Sequence, residues 1–431
     1  MCSRIRGSVL AAALAVSFVT GCASHKPVTL MPTPVLYEQA EIEPFSHVTE
    51  ELRTPLTQVF YATNRRHRGD DGADRPYGNG VDDELHLGRA SVRIGEPGTD
   101  WNELVRLSLF NPPDSTVPIT LQEVTHWDSL IHRAADDVVD WDEASHRRFI
   151  AEINRELDQH VDPEIMVYVH GTKTGFEPAL AMAGEIDHFV GKDFVGVAFA
   201  WPAHENILYY LLQIDVRRAQ HSSEALRDLL KLLASETTAK RINILCWSAG
   251  GRVVSKALDE LYRLHPDIDR DALKSRYRLG SVVFAAADVE LDRFLERLPA
   301  ASALADQVVV TVTDDDVALN AARRYMGGVD RIGTMAAEEA ELAFVRERNL
   351  DNVEIIDVSR SQKLRGFDIT GHHYWYRHPW SSSDIILLMR TDLGPDQRGL
   401  RAGELPSLWF LDPGYPQRVR EAARRTLAQE W

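Results

Sequence analysis

Cys246-Trp247-Ser248-Ala249-Gly250 offers a serine on a sharp turn, because the mostly apolar run Ile242 to Leu245 precedes it and a helix-like stretch follows. A serine held between strand and helix projects its hydroxyl clear of the backbone, and the first N–H groups of the helix can stabilise an oxyanion. Ser248 is therefore the candidate nucleophile, with Cys246 standing where the G-x-S-x-G pattern has its first glycine. A hydroxyl needs a base. Gly371-His372-His373-Tyr374-Trp375-Tyr376-Arg377-His378 lies downstream of the run Val353 to Val358, and from such a loop His372 can reach the serine. His373 and His378 read as loop or rim residues. The cluster has no H-E-x-x-H pattern and no cysteine pair, so neither a metal nor a cofactor is expected.

Two carboxylates compete to orient the histidine. Asp288 ends Ala285-Ala286-Ala287-Asp288, and Asp316 ends the run Asp314 to Asp316. Either preserves the chain order serine, acid, histidine. Three adjacent side chains cannot all face one site, so Asp314 and Asp315 are assigned to a solvated turn. Asp316 is the expected acid and Asp288 the alternative. His170-Gly171-Thr172 closes another apolar run, where a glycine admits close backbone approach. The amides of Thr172 and Ala249 are the expected oxyanion donors. His170, Gly171, Trp201 and Trp247 are expected around the substrate, although a buried structural role suits Trp201 equally well.

These residues need a scaffold. From Glu164 onward strand-like and helix-like segments alternate: Ile165 to Val169, Phe194 to Ala200, Ile242 to Cys246, Leu279 to Ala286, Val308 to Val312 and Val353 to Val358 are the expected strands. Leucines 226, 229, 230 and 233 mark one buried helix face. The pattern predicts an α/β class fold with a mostly parallel sheet and helices on both faces, whose chemistry gathers at the carboxyl ends of the strands. Upstream, Gln58 to Thr63 and Leu85 to Ile94 read as strands, residues 66–80 as a polar loop that could hold calcium but reads more simply as a turn, and Glu143 to His160 as a helix.

The first 21 residues carry Arg4 and Arg6 and an apolar stretch from Val9 to Val19, then Val19-Thr20-Gly21-Cys22. This resembles the lipobox of bacterial lipoprotein signals. It implies residues 1–21 as a cleaved leader, lipidation of Cys22, and a membrane anchor. With Ala23 next, it implies the cell envelope and the outer membrane, facing the periplasm. Residues 22–51, with four prolines from Pro27 to Pro44, read as a flexible tether. Residues 52–403 form the expected catalytic domain, and 404–431 a tail packed on it through Trp409, Phe410 and Tyr415. Of three cysteines only Cys246 then remains as a thiol, so no internal disulfide is expected. A formal charge of -17 argues against a nucleic-acid partner. Nothing in the pattern fixes an oligomeric state.

Taken together, Val59 to Arg65, Val169-His170-Gly171, Phe199-Ala200-Trp201-Pro202, the serine pentapeptide, Asp288-Val289, Asp316 to Leu319, Arg331-Ile332-Gly333 and Gly371 to Tyr374 resemble, in order, the bacterial α/β-hydrolase family of unknown function DUF900. That resemblance implies an α/β-hydrolase fold, Asp316 as acid and His372 as base. Lys173 stands where the family commonly has asparagine, and Cys246-Trp247 replaces a small residue and a histidine. The expectation is a lipid-anchored serine hydrolase for small-molecule or lipid-like acyl substrates. The competing expectation is a non-catalytic envelope lipoprotein that keeps the fold as a binding or scaffolding module.

Overall fold

The computed structural model describes residues 28–40, 42–69, 76–131, 146–326, 328–334, 347–348, 350–359, 361, 371–404 and 407–430. The expected leader and Cys22 lie outside the described residues.

Short runs of β-branched and apolar residues make the strands. These are β1 (Val28–Thr29), β2 (Leu56–His67), β3 (Tyr77–Ile94), β4 (Pro118–Ile131), β5 (Glu164–Val169), β6 (Phe194–Phe199), β7 (Arg241–Trp247), β8 (Leu279–Ala285), β9 (Ala305–Val312), β10 (Val353–Asp357), β11 (Arg401–Ala402) and β12 (Leu408–Phe410). They join one sheet in the order β1-β4-β3-β2-β6-β5-β7-β8-β9-β10-β12-β11. Every pair from β2 through β12 in that order is parallel, while β1, β4 and β3 at one edge and β11 at the other are antiparallel.

Residues in β5, β6 and β8 are buried throughout, as strands covered on both faces must be. Alternation divides their side chains between two cores. Ile165, Val167, Val169, Ile242, Ile244 and Cys246 meet the helices Ile214–Glu236, Gly250–Arg263 and Leu291–Leu304. Met166, Tyr168, Leu245 and Val283 face the opposite way, toward Phe176–Phe189, Pro379–Arg390 and Tyr415–Glu430. The sheet order reverses at β5, which has β6 on one side and β7 on the other. A crevice opens at such a switch point above the carboxyl ends of the strands.

Several expectations fail at the edges. The segment expected as a flexible tether is packed: Leu30, Met31, Val35, Leu36, Tyr37, Phe45 and Val48 are buried, and Val28 pairs with Ile119. After Pro34 it forms the 3-10 helix Val35–Ala40, and its apolar residues cover the helix Phe176–Phe189. In the tail, Leu408 to Phe410 hydrogen-bond alongside β10, and Tyr415, Val419, Ala423 and Leu427 are core residues. Of the expected loop at 66–80, Arg66 and His67 end β2 and Tyr77 to Gly80 begin β3, with His67 paired to Tyr77; residues 70–75 lie outside the described residues. His378 caps the helix Pro379–Arg390, accepting from the Trp380 N–H. Among the described residues no helix is long and apolar enough to cross a membrane.

Candidate active site

β7 ends at Trp247, paired with Ala285, and the chain turns at once. Ser248 has a φ of 52°, a left-handed conformation that an L residue holds only when its neighbours fix it. They do so here. The Ser248 N–H donates to Ala285 O at 3.0 Å, and the Ser248 carbonyl accepts from the N–H groups of Gly251 and Asp288, both at 3.0 Å. Gly250 is required next: a Cβ there would lie 2.5 Å from the Val169 carbonyl oxygen and 2.7 Å from that of His170. Cys246 needs no such space. Its side chain points into the core, where the thiol donates to Val283 O, and burial pushes its pKa up.

The structure brings Ser248, His372 and Asp316 together. His372 Nε2 lies 2.8 Å from Ser248 Oγ, and His372 Nδ1 lies 2.7 Å from Asp316 Oδ2. An ionised carboxylate can only accept, so Nδ1 carries the proton and Nε2 is left to accept from the serine hydroxyl. Asp316 is fully buried at the end of β9, and its Oδ1 caps the helix Val317–Tyr325 by accepting the Leu319 N–H at 2.8 Å. His372 follows Gly371, which has a φ of 65°. The Trp247 indole N–H fixes this loop by donating to His372 O at 3.1 Å. Tyr374, two residues on, joins its hydroxyl to Thr311 Oγ1 and the Ala286 N–H, tying the histidine segment to β9 and β8. Its spacing from His372 is the only sequence signal for that role.

Asp288 sits outside this chain of contacts. It receives the Tyr210 hydroxyl and faces Arg252 at 3.5 Å and Arg331 at 3.3 Å, in a buried cluster that also takes in Glu290. Arg252 holds the Glu290 carboxyl down at about 2 against the opposing effect of burial. The alternative acid is thus a structural anion behind the serine turn. The motif pieces Asp288-Val289 and Arg331-Ile332-Gly333 meet through this contact between Asp288 and Arg331.

Gly171 lies close to Ser248: a Cβ there would lie 3.0 Å from Ser248 Cβ. Thr172 follows directly, and Ala249 begins the turn into the helix on the other side of Ser248. His170 and Trp201, expected around the substrate, are instead fully buried. Their rings stack at 5.3 Å, and the Trp201 indole N–H donates to His170 O at 2.7 Å. Burial, with the Arg65 charge adding to it, lowers the His170 pKa to about 3, which keeps the ring neutral. A wall that is sealed cannot also line an opening. Trp247, half-buried beside the rings of His372 and His373, is the better placed of the two tryptophans. Among the described residues no group of three or more His, Cys, Asp or Glu side chains is arranged to hold a metal ion.

The family of alpha/beta hydrolases of unknown function (DUF900) matches residues 145–387, a span holding Ser248, Asp316 and His372. None of the curated proteins compared matches this chain. Among solved structures, dipeptidyl peptidase 4 of Porphyromonas gingivalis is similar at 12% identity and a TM-score of 0.28, over 69% of this chain and 41% of that one. A candidate hydrolase of Legionella pneumophila is similar at 9% identity and a TM-score of 0.22, over 80% of this chain and 89% of the other.

Proposed function

Because this chain belongs to the DUF900 family of alpha/beta hydrolases, we propose that it is a serine hydrolase cleaving carboxylic esters or related acyl bonds. The observation carrying this reading is the continuous contact from Asp316 Oδ2 through the His372 ring to Ser248 Oγ, at 2.7 and 2.8 Å. Such a chain makes an unreactive hydroxyl nucleophilic: as Ser248 attacks the carbonyl carbon, Nε2 takes its proton and Asp316 stabilises the imidazolium. The substrate oxygen gains negative charge, which the Thr172 and Ala249 amides receive. Collapse expels the alcohol, which leaves with the proton from Nε2. Water then repeats the sequence on the acyl-serine, with His372 again as base, and releases the acid. No cofactor takes part.

The Cys22 lipobox supports anchoring in the bacterial envelope, with the domain on the periplasmic side of the outer membrane. The acyl donors are small-molecule or lipid-like, and nucleic acid is no partner.

A fluorophosphonate probe tests the chemistry. Labelling of the purified protein should be abolished in Ser248→Ala and strongly slowed in His372→Ala. Wild-type protein that stays unlabelled while correctly folded would return the chain to the scaffold reading. The anchor is tested separately: the full chain, expressed in a diderm bacterium, should partition into detergent unless Cys22 is replaced by alanine.

A further inference from the structure

We propose that Asp215 and Arg65 are positioning residues that fix the amide of Thr172 for transition-state stabilisation; the inference rests on the hydrolase reading. Neither residue touches the serine, the histidine or the acid. Both grip the loop that follows β5.

That loop contains a strained joint. Lys173 has a φ of 60°, and it is an exposed residue with a Cβ. An L residue stays in this region only if the flanking chain is held on both sides. On one side, the Thr172 hydroxyl donates to Asp215 Oδ2 at 3.3 Å. On the other, Arg65 Nη2 donates to Thr174 O at 2.8 Å. The joint is therefore clamped by two charged side chains of opposite sign, one from β2 and one from the helix Ile214–Glu236.

Both clamps are built into the fold. Asp215 is fully buried and also accepts the His204 N–H at 3.1 Å, with its Oδ1 2.7 Å from His204 Nδ1. Arg65 is fully buried as well; its Nε donates to Ala200 O, and its Nη1 donates to Gly78 O and Asn79 Oδ1. Burying a guanidinium this way is costly: desolvation brings its pKa down to about 9, with the Glu205 and Asp215 charges acting in the opposite direction. Loop anchoring by apolar contact would need none of this expense. What charged forks supply is direction, and direction is what an oxyanion donor requires, since it must be aimed before charge develops. Gly171, one residue before Thr172, lies so near the candidate nucleophile that a Cβ on it would come within 3.0 Å of Ser248 Cβ, so a small rotation at Thr172 carries its N–H off target.

The test is a double-mutant cycle between Thr172→Val and Asp215→Asn, with Thr172→Ser as the conservative control. Hydrolysis of a short-chain ester, affinity for an alkyl boronic acid that forms a tetrahedral adduct on serine, and melting temperature are measured together. Each single variant should lower kcat roughly tenfold to a hundredfold, somewhat less than deleting an oxyanion donor outright. Boronate affinity should weaken by the same factor, while KM stays within about twofold because ground-state binding is untouched. The double variant should lose no more than the worse single, and Thr172→Ser should resemble wild type. If Asp215→Asn does not fold, the contrast between Thr172→Val and Thr172→Ser carries the same comparison. Unchanged kcat and boronate affinity in both singles, or fully additive losses, overturn the inference while leaving the hydrolase intact. Wild-type protein that fluorophosphonate does not label at Ser248 overturns both.

Discussion

Replacing Asp316 by asparagine changes one atom in a position where the surrounding bonds dictate the result. Oδ1 of Asp316 accepts the Leu319 N–H at 2.8 Å, and the substituted amide keeps its oxygen there because only oxygen can accept. Its NH2 group must then face His372 Nδ1, 2.7 Å away in the parent. Facing a donor, Nδ1 becomes an acceptor and the ring proton moves to Nε2. Nε2 now donates to Ser248 Oγ and cannot remove its proton. Fixing the wrong tautomer in this way costs about four orders of magnitude in kcat, or roughly 5 kcal/mol in the barrier. Stability should change little, since the helix cap survives. Asp288→Asn is the matched control: it leaves Arg252 and Arg331 short of a buried counter-charge, so it should destabilise by about 3–5 kcal/mol. Its turnover at a temperature where it is folded should stay within about tenfold of wild type, because Asp288 touches no reacting group. The assay is steady-state hydrolysis of a chromogenic short-chain ester beside a thermal melt of each variant. Asp316→Asn turning over within tenfold of wild type would refute the reasoning. So would Asp288→Asn that melts normally yet is dead.

Two further substitutions follow from the packing. Gly250→Ala places a methyl 2.5 Å from the Val169 carbonyl oxygen, backbone against backbone. With no flexible side chain to move aside, melting temperature and serine labelling should fall together; a normal melt with full labelling would mean that the turn tolerates a Cβ. Glu185 is fully buried beneath the packed amino-terminal segment, where desolvation raises its pKa from 4.5 to about 8 despite the Met31 N–H it accepts. The folded state therefore holds a proton that the unfolded state releases between about pH 4.5 and 8, and stability falls with rising pH across that window. Glu185→Gln cannot ionise, so it should gain on wild type from pH 5 to pH 8 in parallel chemical denaturation series. A constant difference across the range would rule the linkage out.

Ser248 directly follows β7 (Arg241–Trp247) and Asp316 comes soon after β9 (Ala305–Val312), so an apolar run marks each of these candidates, whereas His372 lies well beyond β10 (Val353–Asp357). A fully buried parallel strand advertises itself as a block of Val, Ile and Leu, so its carboxyl end can be found to within a residue or two. Residues answering to tertiary neighbours were hidden. His170 and Trp201 look chemical as types, yet each is spent on the other and sealed in. Asp288 and Asp316 are indistinguishable as acids at strand ends until Arg252 and Arg331, distant in the chain, claim one of them. Edge elements were misread for a related reason: Leu408 to Phe410 is too short to show a period, and the residues from Leu30 to Val48 are apolar but interrupted by prolines, so proline content outweighed the burial they achieve. Asp215 gave no local sign, since a carboxylate buried against a hydroxyl and a backbone N–H has no sequence spacing of its own.

The order of the sheet also governs when the molecule can begin to work. β5, made early in the chain, must wait for β7, and His372, the proposed base, arrives only after β8, β9 and β10 have been laid side by side and the chain has passed Gly371. Ser248, Asp316 and His372 meet only once β7, β9 and the segment beyond β10 are in place. During refolding from denaturant, helical signal should recover before turnover does, and a ribosome-bound chain that has not yet emerged past His372 is inert wherever it has been delivered.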